Sequence, residues 1–444
     1  MSNYEGIENS QQVANEVREK LTQFVGPLLK KLDTQIDKRL VRTFVKALQA
    51  IIECRHRNHG LLLSELGSYI LNPAQAPAGT KRLSNLLRSK KWGYELIEWF
   101  LWGRAEERLE ELEAADEEVL VAWDESVIEK PESIAIEGLC AVRSSKARRL
   151  KRIKPGYFNP PGGRPIFVPG MNWVTLMVMG LKGVPVVAAM RWWTTRGQLA
   201  SNRRTEEQAL LKQCAQAWGK RVVHIWDRGF AGGPWLKLAS EQAVRFVMRW
   251  QKGYKLVDAQ GCSRKAWTIT RGKRSWEHQL IWDNRRRCFR KTGVVAVPVT
   301  HPEYTGQLWL VVSRPGQGRY PWYLLTNEPV ETAADAWHIV FIYTPRWQVE
   351  MAYRYSKSEL AMESPRLWFW QNRLKLLLMV TLVYAFLLAL LHPVLQPLRL
   401  WLLRFWCHRT GKRYRETSIP LYRLRAALSR LWLSHPPPSP QNSG

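Results

Sequence analysis

Two short apolar runs in this chain each end in Trp-Asp: VLVAWD, closing at Asp124, and VVHIWD, closing at Asp227. Runs of this kind read as buried strands. A carboxylate at the end of a buried apolar strand is costly to desolvate unless something compensates it. A divalent cation would do so, because Mg²⁺ takes oxygen ligands from two or three carboxylates and completes its shell with water and phosphate oxygens. Either Asp alone is weak evidence, since a strand-end Asp often serves only as a helix N-cap.

The surrounding pattern supplies a fold class. Residues 173–179 and 184–193 are β-rich runs separated by LKG, which reads as a hairpin. Residues 205–218 read as a helix. Strand, hairpin, helix and strand in that order give a mixed α/β sheet. Residues 1–115 contain no strand-like run and repeat apolar residues at helical spacing. Their last stretch, EERLEELEAADEEV, reads as a helix running into a linker. Residues 252–328 break into short β-like pieces (AWTIT, HQLIW, GVVAVPV, LWLVV, WYLLT), an all-β insertion. Residues 331–360 and 366–393 are helical again. The run at 376–391, LLLMVTLVYAFLLALL, is short for a membrane span and contains Thr and Tyr, so a buried core helix is expected and no membrane partner. The expected division is 1–115, 116–250, 251–330, 331–395 and 396–444, the last ending in the Pro-rich tail HPPPSPQNSG.

Charge narrows the function. The formal net charge is +29, which argues for a polyanionic partner. Hydrophobic residues make up 45% of the chain, enough for a large core. Tryptophan (23) outnumbers both Tyr (14) and Phe (12), and aromatics among cations suit phosphate contact with base stacking. Within the insertion, Trp267, Trp276 and Trp282 could stack on a base, but the core reading is the more common one for Trp. Two basic segments stand out. In residues 81–100, Arg82, Asn85 and Arg88 share one helix face and Leu83, Leu86 and Leu87 another, as in a helix lying in a DNA groove or one with a solvated basic face. In residues 143–154, RSSKARRLKRIK, the cations include Arg148, Arg149, Lys151 and Arg152. This is a loop suited to gripping DNA backbone, or a solvated charge run. The six cysteines are scattered without a CxxC pair, and the histidines lack zinc spacing, so neither disulfides nor zinc are expected. The polar, acidic first residues are not those of a signal peptide.

The third acid lies in YTPRWQVEMAYRYSK. Thr344 and Pro345 form a helix-start pair. At 100° per residue, Glu350 lies about 40° and Lys357 about 20° from Arg346, so the three share a face, with Tyr343 just before them. A Glu bracketed by cations can be a surface salt bridge of little consequence, or an acid on a metal with two cations on phosphate.

The series Tyr343-x2-Arg346-x3-Glu350-x6-Lys357 resembles the YREK signature of the insertion-sequence-four family of bacterial DDE transposases, and flanking Trp347 and Tyr353 are similar to that pattern. Asp227-Arg228-Gly229-Phe230 resembles the family's second-aspartate motif, and Asp124-Glu125-Ser126 with Lys130 its first. The resemblance spans residues 119–393. It implies a ribonuclease H-like catalytic core interrupted by a β-rich insertion, with the helical region in front as a DNA-binding domain. It implies catalytic, metal-binding roles for Asp124, Asp227 and Glu350 with two Mg²⁺ ions (or Mn²⁺), and DNA contacts for Tyr343, Arg346, Lys357 and Arg228. The implied activity is strand cleavage at terminal inverted repeats and strand transfer, by way of a DNA hairpin, in a homodimeric synaptic complex in the bacterial cytoplasm. The alternatives are a ribonuclease H-like nuclease or resolvase without strand transfer, and a catalytically inactive DNA-binding derivative.

Overall fold

The computed structural model describes residues 9–131, 133, 135–144, 166–283, 288–316, 320–407 and 421–437. The chain begins with six helices: α1 (Ser10–Phe24), α2 (Gly26–Asp33), α3 (Lys38–Glu53), α4 (Leu63–Ile70), α5 (Ala76–Arg88) and α6 (Glu95–Ala114). The basic segment at 81–100 is two helices rather than one. α5 ends at Arg88, where the buried Lys375 ammonium donates to the carbonyls of Leu87 (3.1 Å) and Ser89 (2.7 Å), and the Trp92 indole donates to Leu86 (2.9 Å). Such donors satisfy the carbonyls a helix end leaves open. On α5, Leu83, Leu86 and Leu87 are buried and Arg82, Asn85 and Arg88 are exposed, so the basic face is free.

The core sheet follows as β1 (Val119–Glu129), the short β2 (Cys140–Arg143), β3 (Phe167–Met179), β4 (Val186–Trp193), α7 (Arg203–Trp218), β5 (Val222–Trp226), α8 (Gly233–Glu241) and β6 (Arg245–Arg249). β3 and β4 form the expected hairpin, β3 runs antiparallel to β1, and β1, β5 and β6 are parallel to one another. This mixed sheet with helical crossovers is the ribonuclease H-like arrangement. β1 does not stop at Asp124, as its apolar run suggested. β3 is long enough to pair with it from Leu120↔Met179 through Glu129↔Gly170, so the ladder carries the polar residues Asp124, Glu125 and Ser126 in mid-strand.

The β-rich segment contains β7 (Lys255–Val257), β8 (Ser263–Lys265), α9 (Ala266–Thr270), β9 (Glu277–Asp283), β10 (Cys288–His301), β11 (Tyr304–Arg314) and β12 (Trp322–Thr326). It prolongs the core sheet, because β12 pairs antiparallel with β6. AWTIT, read as a strand, is the short helix α9. Its Ala266, Ile269 and Thr270 turn inward at helical spacing while Trp267 faces out, a case of packing overriding β-propensity.

After the sheet come α10 (Ala333–Tyr343), α11 (Trp347–Ser358), α12 (Trp370–Ala389), α13 (Gln396–Phe405) and α14 (Leu421–Ser434). Thr344 does not start a helix. Its hydroxyl donates back to Val340 (2.9 Å), and a 3₁₀ turn over Thr344–Arg346 joins α10 directly to α11. The true N-cap is Thr332, in a capping box with Asp335. α12 is apolar and long enough to cross a membrane by composition, but it is buried here between the sheet and the helical region.

α4 and α5 meet through Gly67 and Gly79. A Cβ on Gly79 would lie 2.1 Å from the Gly67 carbonyl oxygen, whereas one on Gly103 in α6 would meet nothing within 4 Å. Gly79→Ala is therefore expected to destabilise the helical region by about 1–3 kcal/mol. Gly103→Ala is expected to stabilise it by about 0.5–1 kcal/mol. Denaturant unfolding followed by circular dichroism checks both signs.

Candidate active site

The β1/β5 register places the two aspartates side by side. Val119 pairs with Val222 and Ala122 with Ile225, so Asp124 and Asp227 occupy equivalent positions two residues past the last pair. This is the carboxyl end of a parallel pair, where open α/β sheets bind ligands. The preceding residues fix that register. The Trp123 indole donates to His224 Nδ1 (2.9 Å), and His224 stacks on Trp226 at 5.6 Å between centroids. Burial holds the His224 imidazole down to about 3, so it stays neutral and keeps Nδ1 as an acceptor. Phe230 and Trp235 close this aromatic layer against Trp123.

The third acid is delivered by α11, which lies across β1. The Tyr353 hydroxyl stands between β1 and β3, donating to the Asp124 carbonyl and accepting from Thr175 N–H (3.1 Å), while its ring stacks on Trp173 at 5.1 Å. Two turns earlier, just ahead of α11, the Arg346 guanidinium bridges two of the acids: Nη1 lies 3.4 Å from Asp124 Oδ2, and Nη2 donates to Glu350 Oε1. One turn later, Lys357 donates to Ser126 Oγ (2.7 Å). The helix is thus pegged to β1 at Asp124 and Ser126.

Electrostatics register the crowding. Burial, reinforced by the charges of Asp227 and Glu350 and opposed by Arg346, pushes the Asp124 carboxyl up to about 7. Glu125 is pushed well above the usual carboxylate range, first by burial and then by its hydrogen bond to Glu207, against the pull of Arg203. Arg203 contacts Glu125, lies 3.1 Å from Glu207 and donates to the Gly229 carbonyl (3.2 Å). Gly229 N–H in turn donates to Asp227 Oδ1, so Arg203 fastens the loop that presents the second aspartate. Sequence reasoning assigned no role to Glu207, Arg203 or His224. Glu207 carried a signal: on α7 it shares the apolar face of Leu210, Leu211 and Cys214, where an acid needs a partner.

Asp227 and Glu350 both act on the Asp124 carboxyl, and carboxylate oxygens are the donors that a hard divalent cation takes. Among the described residues, no three His, Cys, Asp or Glu side chains stand close enough to hold a metal ion as they are. Between Asp124 and Glu350 the positive charge is that of Arg346. This guanidinium, expected on DNA, has a side chain only 11% exposed. Tyr343 is also buried, its ring packed on Trp322 (5.4 Å) with the Arg346 guanidinium 5.9 Å from its centre.

The remaining expected contacts divide. Arg228 is exposed beside Asp227 and lines a cavity of about 760 Å³ with Arg249, Lys252, Trp267 and Tyr320. Trp267, Trp276 and Trp282 are not core residues but are 38%, 44% and 47% exposed, because they lie on the outer surface of the β-rich extension. The α5 face with Arg82, Asn85 and Arg88 is exposed but belongs to a separate part of the fold. Arg148, Arg149, Lys151 and Arg152 lie outside the described residues.

No family model and no curated protein matches this chain. Among solved structures, it is similar to a piggyBac transposase synaptic complex with hairpin DNA. The identity is 12% and the TM-score 0.41, over 95% of this chain and 80% of that one.

The raised Asp124 carboxyl has a consequence for stability. Its folded-state value, about 7, exceeds the ordinary 3.8, so the fold binds this proton more tightly than the unfolded chain does. The wild type then loses stability as pH rises from about 4 to about 7, and the full penalty persists above that range. Asp124→Asn should match the wild type near pH 4 and exceed it by a few kcal/mol at pH 8 in chelator. Denaturation midpoints across this range check the trend, and a wild type more stable than the variant at pH 8 would contradict it.

Proposed function

We propose that this protein is a DNA transposase of a bacterial insertion sequence, which cleaves DNA at terminal inverted repeats and transfers the freed strand at Asp124, Asp227 and Glu350. One observation supports the reading: Asp124 and Asp227 hold equivalent positions past the paired ends of two parallel strands, and Arg346, just ahead of α11, joins Asp124 to Glu350 while Lys357 of that helix reaches Ser126 beside Asp124. That helix bears the YREK-like series. A net charge of +29 and the exposed α5 face agree with a duplex DNA partner.

In this reading Asp124, Asp227 and Glu350 would hold two divalent ions, Mg²⁺ or Mn²⁺, whose chemistry is to activate the attacking oxygen and neutralise the leaving one. The chain's own groups do the rest. Arg346 is a planar fork suited to a phosphate and Lys357 a point charge suited to the neighbouring one. Ser126 and Trp173 hold the Lys357 ammonium in place, with Nζ 5.8 Å from the Trp173 ring centre. Arg228, Arg249 and Lys252 line one basic cavity with Trp267 and Tyr320, a surface on which an unpaired strand can lie with its bases against aromatic rings. Tyr353 and Arg203 touch the backbone beside Asp124 and Asp227 and so orient the acids rather than react. Two ends held together imply a homodimer, and cut-and-paste through a hairpin end is the pathway proposed.

The test is a plasmid carrying the terminal inverted repeats that flank the gene, incubated with purified protein and Mg²⁺. Cleavage at the repeat boundary is expected, followed by joining to target DNA. Cutting of any DNA, indifferent to the repeats, would point to a nuclease instead. Asp124→Asn, Asp227→Asn and Glu350→Gln should each lower cleavage by about 10³-fold or more while repeat binding stays within a few-fold. Lys357→Ala should weaken repeat binding and reduce its salt dependence by about one phosphate contact. Gel-shift titration across salt concentrations reads the second effect, and an unchanged slope would remove the phosphate role.

A further inference from the structure

Helix α11 is pegged to β1 along its length, but its carboxyl end is held by something else. Arg425, on α14 near the end of the chain, is 3% exposed. Its Nη1 donates to the Glu359 carbonyl, the C-cap of α11. Its Nη2 donates to the carbonyls of Cys54, the C-cap of α3 (2.6 Å), and Ile51 (2.7 Å). One guanidinium thus closes two helix ends, where open carbonyls and the negative pole of each helix favour a cation. The seam continues on either side. Tyr355 of α11 donates to the Leu421 carbonyl (3.2 Å), and Ser429 of α14 donates to the Glu53 carbonyl (2.7 Å). Arg57, just past α3, pairs with Glu359.

We infer that Arg425 is a positioning residue for the candidate active site: it clamps the carboxyl end of α11 to α3, so that Lys357 and Glu350 keep their places along β1. This rests on the proposed function, because it assigns a catalytic task to α11. Side-chain deletion at Arg425 leaves two helix ends with unsatisfied buried carbonyls, and the last turn of α11 keeps the Lys357–Ser126, Tyr355–Leu421 and Arg57–Glu359 contacts but loses its buried tie to the end of α3. Lys357 lies in that turn. A shift of about 1 Å in a reacting constellation is enough to slow chemistry about 10²-fold.

The experiment uses the full chain with Arg425→Met, Arg425→Lys and Ser429→Ala. The Ser429 variant touches α3 from the same helix but not α11, so it serves as the control. Two readouts are taken: cleavage rate at saturating repeat DNA alongside DNA affinity, and hydrogen–deuterium exchange of α11 and α12. Arg425→Met should cleave about tenfold or more slower, with affinity within about threefold, and should exchange faster over residues 355–360 but not in α12. Arg425→Lys keeps the charge without the fork and should fall between, and Ser429→Ala should match the wild type. A rate loss that follows loss of affinity, wild-type cleavage with accelerated exchange, or unchanged exchange over 355–360 would each overturn the inference. If Arg425→Met does not fold, Arg425→Lys decides: slower cleavage at unchanged affinity supports the clamp, and wild-type cleavage removes it. A wild type that cleaves no DNA would instead defeat the proposed function, and the exchange data would still test the clamp.

Discussion

Carboxylates brought near Asp124 against their mutual repulsion are the constraint on which the rest of this structure depends. Asp124 is half-buried, and Asp227 and Glu350 both push its carboxyl towards the protonated form. Such a cluster persists only where the surroundings over-determine it. Here the determinants are the shared β1/β5 register, the Trp123–His224 hydrogen bond beneath it, and Tyr353 set between β1 and β3 at the level of Asp124. Arg346 offsets the charge of Asp124 and Glu350, from the 3₁₀ turn that leads into the helix of Glu350. The site is thus built from elements that are each stable for other reasons, with the strain confined to a few carboxyl groups.

A second device recurs around the site. Several buried cations spend their hydrogen bonds on backbone carbonyls instead of carboxylates. Lys130 donates to Glu363 and Pro365, Lys375 to the end of α5, Arg373 to Leu367 and Glu137, and Arg425 to α3 and α11. A buried ion is costly unless it is fully hydrogen-bonded, and helix ends and loop carbonyls supply acceptors that need donors anyway. These contacts tie segments that lie far apart in the chain: strand to loop, core helix to helical region, last helix to first ones.

Much of this was legible in the sequence, for identifiable reasons. β1 and β5 were readable because continuous apolar runs survive any tertiary context. Glu350 was readable because Arg346, Glu350 and Lys357 fall on one helix face. The position of Asp124 within β1 was not, since it depends on the length of β3, and nothing in VLVAWDES states how far the partner strand extends. AWTIT misled because its β-branched residues pack inward at helical spacing. Thr344 misled because its hydroxyl bonds backward to Val340 rather than forward as a cap. The Arg203–Glu207–Glu125 group depends on α7 meeting β1, a contact between segments some eighty residues apart that no local pattern encodes.

The central claim is that Asp124, Asp227 and Glu350 form one cation centre, with Arg346 holding a cation's position between two of them. The most direct measurement is Mn²⁺ binding to the DNA-free protein, titrated by electron paramagnetic resonance in the wild type, in each acid variant and in Arg346→Ala. The account requires that the wild type take up Mn²⁺, that losing any one acid weaken this by about tenfold or more, and that Arg346→Ala bind at least as tightly as the wild type. Uptake that is indifferent to all three acids, or no uptake by either the wild type or Arg346→Ala, would contradict it.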